Sequence, residues 1–193
     1  MVFHSFAYLL FFPIVYIVYF LLPPRVRYLW LLAASCFFYA SADSRYLLLL
    51  GAIILLSYGS GLLLAGARAA GRPRTAKGLM IFTVFCNLGL LGYCKYTNFL
   101  LENVNQILTA LHTDRQFAPV HGLLSLGISF ILFQSVSYTV DVYRGTTAAE
   151  KHLLKYALYL AFFPKLISGP IERAGDILPQ IHRGTRFSLQ NLK

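Results

Sequence analysis

The chain has 193 residues, of which 58% are hydrophobic and only 12% are charged, whereas soluble domains carry about 25% charged residues. A water-soluble fold of this length could not bury so much apolar surface in one core, so the composition favours a protein embedded in lipid. The net charge of +10 comes from short basic clusters between apolar runs. That scatter argues against a nucleic-acid partner and is typical of the loops of a membrane protein.

Two apolar runs near the N-terminus predict the first membrane-spanning helices. The first covers 6–22 and contains Pro13, at which we expect a kink. No basic residue precedes this run and no small-residue cleavage site follows it, so we interpret it as a retained segment rather than a secretory signal. The second run, 26–40, is interrupted only by Arg27 and Ser35 and is short for a full span of about 20 residues.

A third apolar run, 46–67, predicts a full-length span that carries a stripe of small residues. Ser57, Gly61 and Ala65 are spaced four apart on one helical face. Such a stripe lets a neighbouring helix approach closely, although chance also produces it in a helix rich in glycine and alanine. A short basic loop follows, and a fourth apolar run covers 78–94.

The rest of the chain is less regular. The segment 95–111 is amphipathic and predicts either an interfacial helix or the end of a span. The runs 120–142 and 151–167 each predict a further span, and the polar, basic tail 168–193 predicts a short helix. Together these elements predict an all-α, polytopic transmembrane helix bundle with five to six spans and additional short interfacial or broken helices.

Basic residues in the short loops predict the orientation of the first spans. Arg25 and Arg27 lie in the first loop, whereas the second loop has only Arg45 beside Asp43. The third loop has four bases: Arg68, Arg72, Arg74 and Lys77. Because basic residues concentrate in cytoplasmic loops, we expect the first and third loops to be cytoplasmic and the N-terminus to face outward. The orientation of the later spans stays open, because the segment 95–111 need not cross the membrane.

Polar residues within the later apolar runs are the candidate functional residues, because ionisable groups at membrane depth usually face a protein interior or a water-filled cavity. Gln134, Ser137 and Asp141 share one helical face, with Tyr138 next to it. Arg144 follows at the helix end, where it can pair with Asp141. The competing interpretation is a polar stripe that only packs helices and ends in an ion pair.

The string FFPKLISGPIER, residues 162–173, predicts irregular backbone at the edge of the last run. Its two prolines and its glycine break regular helix, and such backbone is tolerated beside apolar spans where it is buried in protein or lines a cavity. Lys165 lies within the string, and Glu172 and Arg173 at its end join the candidates. Ordinary loop chemistry explains these residues equally well.

Cysteines and histidines give no sign of a metal site. Three cysteines lie in apolar runs without CxxC spacing, and we interpret them as core residues: Cys36, Cys86 and Cys94. Five histidines lack metal-ligand spacing, and we interpret them as ordinary interfacial or loop residues: His4, His112, His121, His152 and His182. The P-loop, GxGxxG, GxSxG and HExxH motifs are absent from the sequence.

Four distinctive strings are spread along the chain. They are the opening 1–40, NLGLLGYCKYTNF at 87–99, LGISFILFQSVSYTVDVYRG at 126–145 and YLAFFPKLISGPIERAGDILPQI at 159–181. These strings resemble the N-terminal part of the membrane-bound O-acyltransferase family, and most of all its alginate O-acetyltransferase-like branch. The last two are long and unusual, and they carry most of the resemblance. Small departures from the branch occur at four positions: Cys94, Ile131, Leu132 and Ser168.

The resemblance implies an enzyme of the bacterial inner membrane that transfers an acyl group, as a rule acetyl, to a hydroxyl of a cell-envelope or exported polysaccharide such as alginate. It implies an acetyl thioester as donor, no bound cofactor and, in some members, a periplasmic partner protein. Such chemistry needs a base and a site that stabilises the oxyanion. The residues expected to line a path for the reactants are Gln134, Tyr138, Asp141, Arg144, Glu172 and Arg173.

The resemblance implies that residues 1–193 are the N-terminal portion of a single membrane-embedded acyltransferase domain. The family's catalytic histidine lies in a Trp-His-Gly-like string, which is absent here, where Trp30 is the only tryptophan. We therefore expect a truncated member that is inactive alone, and we assign no catalytic residue. Two other classes stay open. One is a transporter or flippase, which broken helices suit but which predicts internal repeats not seen here, and the other is a non-catalytic membrane assembly subunit.

Overall fold

The computed structural model describes residues 6–111, 113, 116–120, 127–166 and 172–183, and this part of the chain is helical without any strand. The helices are α1 (Phe6–Leu21), α2 (Arg27–Ala42), α3 (Arg45–Ala69), α4 (Pro73–Ala110), α5 (Ile128–Arg144), α6 (Leu153–Ala161) and α7 (Ala174–Arg183), with a 3₁₀ turn at Phe163–Leu166. The all-α class is confirmed. Several predicted features lie outside the described residues: His4, His112, His121, Ser168, Gly169 and Pro170.

Helix ends follow the local chemistry of the chain. α1 continues through Pro13 rather than ending there. Pro73 occupies the first turn of α4, where the missing N–H has no helical partner in any case. Glycines in the left-handed region flank α5, with φ of 97° at Gly127 and 78° at Gly145. Residues with a Cβ rarely adopt this conformation, so these two glycines set where α5 begins and ends.

α4 joins two segments that the sequence left open as separate elements. It is a single helix of 38 residues, because no glycine or proline interrupts the chain between 94 and 111. Residues 95–110 therefore continue the preceding helix instead of forming a separate interfacial one. At 1.5 Å per residue α4 is about 57 Å long, roughly twice the 30 Å hydrocarbon core of a bilayer.

The apolar run 151–167 does not form one spanning helix. It contains the nine-residue α6 and then the 3₁₀ turn that includes Pro164. α6 is about 13 Å long, which is too short to cross a bilayer alone. The short helix predicted in the tail is confirmed as α7, which includes Pro179.

Two of the described helices, α3 and α4, are long and apolar enough to cross a membrane, and Tyr8–Leu21 in α1 is a shorter apolar helix. These features make a membrane helix bundle plausible, and the number of spans stays a prediction.

α6 lies at the centre of the bundle. It contacts α2, α3, α5 and α7, and every residue of 156–161 is buried. A helical segment that is buried on all sides is expected to be apolar, and residues 156–161 are all hydrophobic, whereas the first turn of α6, with Leu154 and Lys155, is partly exposed. The α3, α4 and α5 helices pack against one another beside it.

The small-residue stripe on α3 is where α5 approaches most closely. A Cβ added at Gly61 would lie 2.7 Å from the Tyr138 hydroxyl, so only glycine admits this tyrosine. Near the helix ends, the Arg68 guanidinium donates to the Val142 carbonyl at 2.8 Å. Both contacts place α3 and α5 side by side in parallel, and the predicted close approach at Gly61 is confirmed.

Candidate functional site

A buried polar seam joins α4 to α5. The Ser135 hydroxyl donates to Asn87 Oδ1 at 3.0 Å, and Asn87 Nδ2 donates to the Thr83 carbonyl at 2.8 Å. All three side chains are buried. Since buried polar groups are costly unless hydrogen-bonded, this seam fixes the register of the two helices.

Gln134 lies wholly buried where α5 meets α6. Its Nε2 donates to the Tyr159 carbonyl at 3.3 Å, while its Oε1 has no hydrogen-bond partner among the described residues. The Tyr159 hydroxyl in turn donates to the Glu172 carbonyl at 3.3 Å. A polar path therefore runs from α5 across α6 to the start of α7.

Asp141 stands two turns further along the same face of α5. Its Oδ1 accepts from the Thr146 hydroxyl at 3.3 Å, and its Oδ2 is buried without a partner within the described part of the chain. The carboxylates of Asp141 and Glu172 both lie near enough to Tyr159 to act electrostatically on its hydroxyl. Arg144 is exposed, and no ion pair joins it to Asp141 among the described residues.

Lys165 completes this group of side chains. Its ammonium pairs with the Glu172 carboxylate and lies 5.7 Å from the centre of the Tyr159 ring. We call Gln134, Asp141, Tyr159, Lys165 and Glu172 the Tyr159 cluster. Lys165 also borders an apolar cavity of about 400 Å³ between α1, α2, the 3₁₀ turn and α7.

The six sequence candidates thus fall into two sets. Gln134, Asp141 and Glu172 converge on Tyr159, and Tyr138 is its buried neighbour. Arg144 and Arg173 are both exposed. Tyr159 itself was not among the candidates, because a tyrosine inside an apolar run gives no sequence signal of polar contacts. Whether the cluster lines a path for reactants stays a prediction.

The chemistry of the Tyr159 cluster suits binding and positioning. Two buried oxygens, Gln134 Oε1 and Asp141 Oδ2, are acceptors without donors, so they favour a group that brings O–H or N–H. The cluster contains neither a histidine nor a cysteine, and no group of metal ligands occurs within the described residues. The three cysteines are free thiols, and Cys94 is buried.

A second ionisable group was missed by the sequence reasoning. His182, interpreted as an ordinary loop residue, lies in α7, where its Nε2 is 2.7 Å from the Oε2 of buried Glu150. Its Nδ1 is 2.8 Å from Lys155 Nζ. Glu150 Oε1 also accepts from the His152 N–H at 2.8 Å. The partners are 27 and 32 residues away from His182, so no local spacing could reveal them.

Glu150 is held in its charged form. Burial by itself would raise the pKa of this carboxyl, but hydrogen bonds from His182 and from the His152 N–H hold the pKa below its usual value of 4.5. The Glu150 N–H also donates to the Tyr138 hydroxyl at 3.1 Å, which ties the group to the bundle core.

Comparison with curated proteins finds relatives along nearly the whole chain. A probable alginate O-acetylase AlgI of Azotobacter vinelandii is 40% identical over 186 residues, which cover 96% of this chain and 37% of the relative. The protein of the same name from Pseudomonas putida is also 40% identical, with 96% and 38% covered. A peptidoglycan O-acetyltransferase of Helicobacter pylori is 32% identical, with 88% and 36% covered. The chain is homologous to the alginate O-acetylases.

The homology confirms the resemblance found in the sequence. The chain spans a little over a third of the length of these relatives. No protein-family profile matches the chain, and no solved structure matches it.

The Tyr159 cluster comes entirely from two of the four strings that carry the resemblance. Gln134 and Asp141 lie in the string 126–145, and the other three members lie in 159–181. Two of the strings that carry the resemblance therefore also build this polar cluster.

Proposed function

We propose that this chain forms part of a membrane-bound O-acyltransferase that transfers an acetyl group to a hydroxyl of a cell-envelope or exported polysaccharide. The observation that supports this is the 40% identity to alginate O-acetylases over 96% of the chain. Similarity to a peptidoglycan O-acetyltransferase suggests that the acceptor belongs to the broader class of envelope polysaccharides, with alginate as one candidate. An acetyl thioester is the proposed donor, and a periplasmic protein is the proposed partner in acetylation.

In this proposal the Tyr159 cluster positions the reacting groups. The unpaired oxygens of Gln134 and Asp141 accept hydrogen bonds from a hydroxyl, an amide or ordered water on the path of the reactants. In this proposal the catalytic base is the family's histidine, which the resemblance assigns to another part of the complete enzyme.

A test of this role uses the complete protein, supplied to a strain that lacks its own enzyme. Asp141→Leu removes a buried acceptor, and we expect about a tenfold loss of polysaccharide O-acetyl content at unchanged protein abundance. Asp176→Leu is the matched control, because Asp176 is an exposed acid on α7. Wild-type acetylation by Asp141→Leu would show that the cluster has no role in the reaction.

For the membrane arrangement we propose a multi-pass protein of the bacterial inner membrane, with α1–α5 as five spans and the N-terminus outward. The parallel packing of α3 and α5 supports this topology, because it brings the basic loop after α3 and the loop after α5 to the same side. In a background without the native cysteines, Arg74→Cys should resist an impermeant thiol reagent in intact cells, whereas Asp43→Cys should react. The reverse labelling pattern would invert the topology.

Residues 1–193 supplied alone should leave polysaccharide O-acetyl content at the empty-vector level. Many apolar side chains of this segment are exposed, among them Leu48 at 80% and Phe85 at 75%, and we propose that later spans of the enzyme pack on part of this surface. Co-expression with the remainder of the enzyme should restore acetylation, as split helix bundles can reassemble. Acetylation by the segment alone would contradict this division of roles.

A further inference from the structure

The loop between α5 and α6 folds back into the bundle. The Tyr58 hydroxyl, from the middle of α3, donates to the Lys151 carbonyl at 2.6 Å. The Glu150 N–H reaches the Tyr138 hydroxyl, which lies against Gly61. Gly61 precedes the end of α3 by eight residues, and eight helical residues rise roughly 12 Å. Segment 145–152 therefore lies beside α3 and α5, with Glu150 below the C-terminal ends of these two helices.

A charged group at this depth needs a partner and access to water. The partner is His182 of α7. Water access is provided by a cavity of about 330 Å³, lined in part by Thr146, Thr147, Glu150, Gly175, Pro179 and His182. Gly175 allows α7 to approach the loop closely at this cavity, because an added Cβ would lie only 3.1 Å from the Thr147 hydroxyl.

The chemistry of the three side chains fixes the proton on His182. The Lys155 ammonium has only donors, so the Nδ1 that faces it at 2.8 Å must accept. The Nε2 then carries the hydrogen and donates to the Glu150 carboxylate at 2.7 Å. His182 is thus neutral and bridges a cation to an anion.

We propose that Lys155, His182 and Glu150 form a protonation-sensitive latch that joins α6, α7 and segment 145–152. Neutral His182 holds Lys155 and Glu150 on its two nitrogens. A proton that arrives from solvent, to which His182 is partly exposed, binds Nδ1 and turns this acceptor into a donor, which expels Lys155. The contact between His182 and Glu150 then becomes an ion pair, so α7 stays docked while α6 loses its link to it.

Several other charged and titratable groups of the described residues lie near the latch, including Tyr138, whose hydroxyl accepts from the Glu150 N–H. The His152 ring lies 5.8 Å from the His182 ring, and the exposed Arg183 adjoins His182 on α7. Lys155 also lies 5.6 Å from the centre of the Tyr28 ring of α2. The ring of Tyr28 offers Lys155 a cation–π contact after it leaves His182.

The latch can be tested by ¹⁵N NMR of histidine in the full protein in lipid nanodiscs between pH 5 and pH 8.5. The His182 signals are assigned by their loss in His182→Gln. At the alkaline end we expect the neutral form with hydrogen on Nε2. The midpoint of the His182 transition should move to higher pH in Lys155→Met and to lower pH in Glu150→Gln, each by about one pH unit.

Lys151→Met is the matched control, since Lys151 is an exposed lysine of the same loop whose carbonyl, not its side chain, is bound. It should leave the His182 midpoint in place. Hydrogen on Nδ1 in the alkaline form would overturn the latch, as would midpoints that fail to move in opposite directions in the two variants.

Discussion

In the centre of the molecule, several polar side chains bond from one helix to another, whereas along the C-terminal half of α4 they bond either to the backbone of α4 itself or to the segment 116–120. Ser135 reaches Asn87, and Gln134 reaches the backbone of Tyr159, both across helix interfaces. In residues 95–110 of α4, by contrast, Asn103 donates to the Phe99 carbonyl one turn away at 2.7 Å. Only the first region uses side-chain hydrogen bonds to couple helices.

This difference decides what a substitution should do. A buried interhelical bond leaves an orphaned partner when one side is removed, and the missing bond weakens the whole bundle. A bond from an exposed side chain to its own turn can be replaced by water. Substitutions in the centre should therefore lower the stability of the whole bundle. Substitutions in residues 95–110, the extension of α4, should cause only local changes.

The largest effect is expected at the closest helix approach. In Gly61→Leu the new side chain would collide with Tyr138, whose ring atoms lie as close as 2.8 Å to the added Cβ. Overpacking of this kind costs about 2–3 kcal/mol, and we expect a clearly lower midpoint of thermal unfolding in detergent. Gly66→Leu on the same helix is the control, because nothing lies within 4 Å of its added Cβ. Equal midpoints for the two variants would contradict the predicted contact.

A smaller global effect is expected at the polar seam. Ser135→Ala leaves Asn87 Oδ1 without its donor and should lower the free energy of unfolding by about 1 kcal/mol. Asn103→Ala in the extension of α4 should lower it by less than about 0.5 kcal/mol. Chemical or thermal unfolding of the two variants measures the difference. A larger loss for Asn103→Ala would reverse the comparison of the two regions.

The same two regions show how far the sequence could predict the structure. The helices of the N-terminal half followed from apolar runs and from the turns between them. The continuity of α4 was also readable, since no residue between 94 and 111 breaks a helix. The fold-back of 145–152 was not, because it depends on Tyr58 and Tyr138, whose hydroxyls bind the loop from 93 and 12 residues away.

The candidate site divides in the same way. The face shared by Gln134 and Asp141 follows from helical periodicity within one run. Tyr159 and the pairing of Glu150 with His182 depend on how α6 and α7 dock, which is a tertiary property that local patterns do not encode. Arg144 and Arg173 were chosen for their charge alone, and both are exposed.

Acidification should weaken the centre through Glu150. Because the pKa of this carboxyl is lowered by folding, its contribution to stability is present above the ordinary value of 4.5 and is lost as the pH falls through the lowered pKa. At pH 7 we expect Glu150→Gln to unfold at a lower temperature than the wild type. The gap should narrow as the pH falls below about 4.5, and a gap that widens over that range would contradict the sign of the effect.

The smallest effect on global stability is expected where α4 binds residues 116–120, because loss of these contacts should be felt only in that segment. Asn105 exchanges two hydrogen bonds with the backbone of Phe117, both at 2.8 Å, and Asn98 does the same with Val120 at 3.1 and 2.9 Å. Seven helical residues rise roughly 10.5 Å, and three extended residues span roughly 10 Å, so the two asparagines match the spacing of the segment they bind.

The double variant Asn98→Ala/Asn105→Ala loses all four bonds. We expect amide exchange at Phe117 and Val120 to accelerate about two- to tenfold, since each bond contributes roughly 0.5–1.5 kcal/mol. The unfolding midpoint should hardly move, because these bonds hold a surface segment and join no helices. Asn103→Ala, which breaks a bond within α4 only, should leave exchange at both amides unchanged. If the double variant instead lowered the unfolding midpoint as much as Ser135→Ala, the extension of α4 would have to be counted as part of the cooperative core.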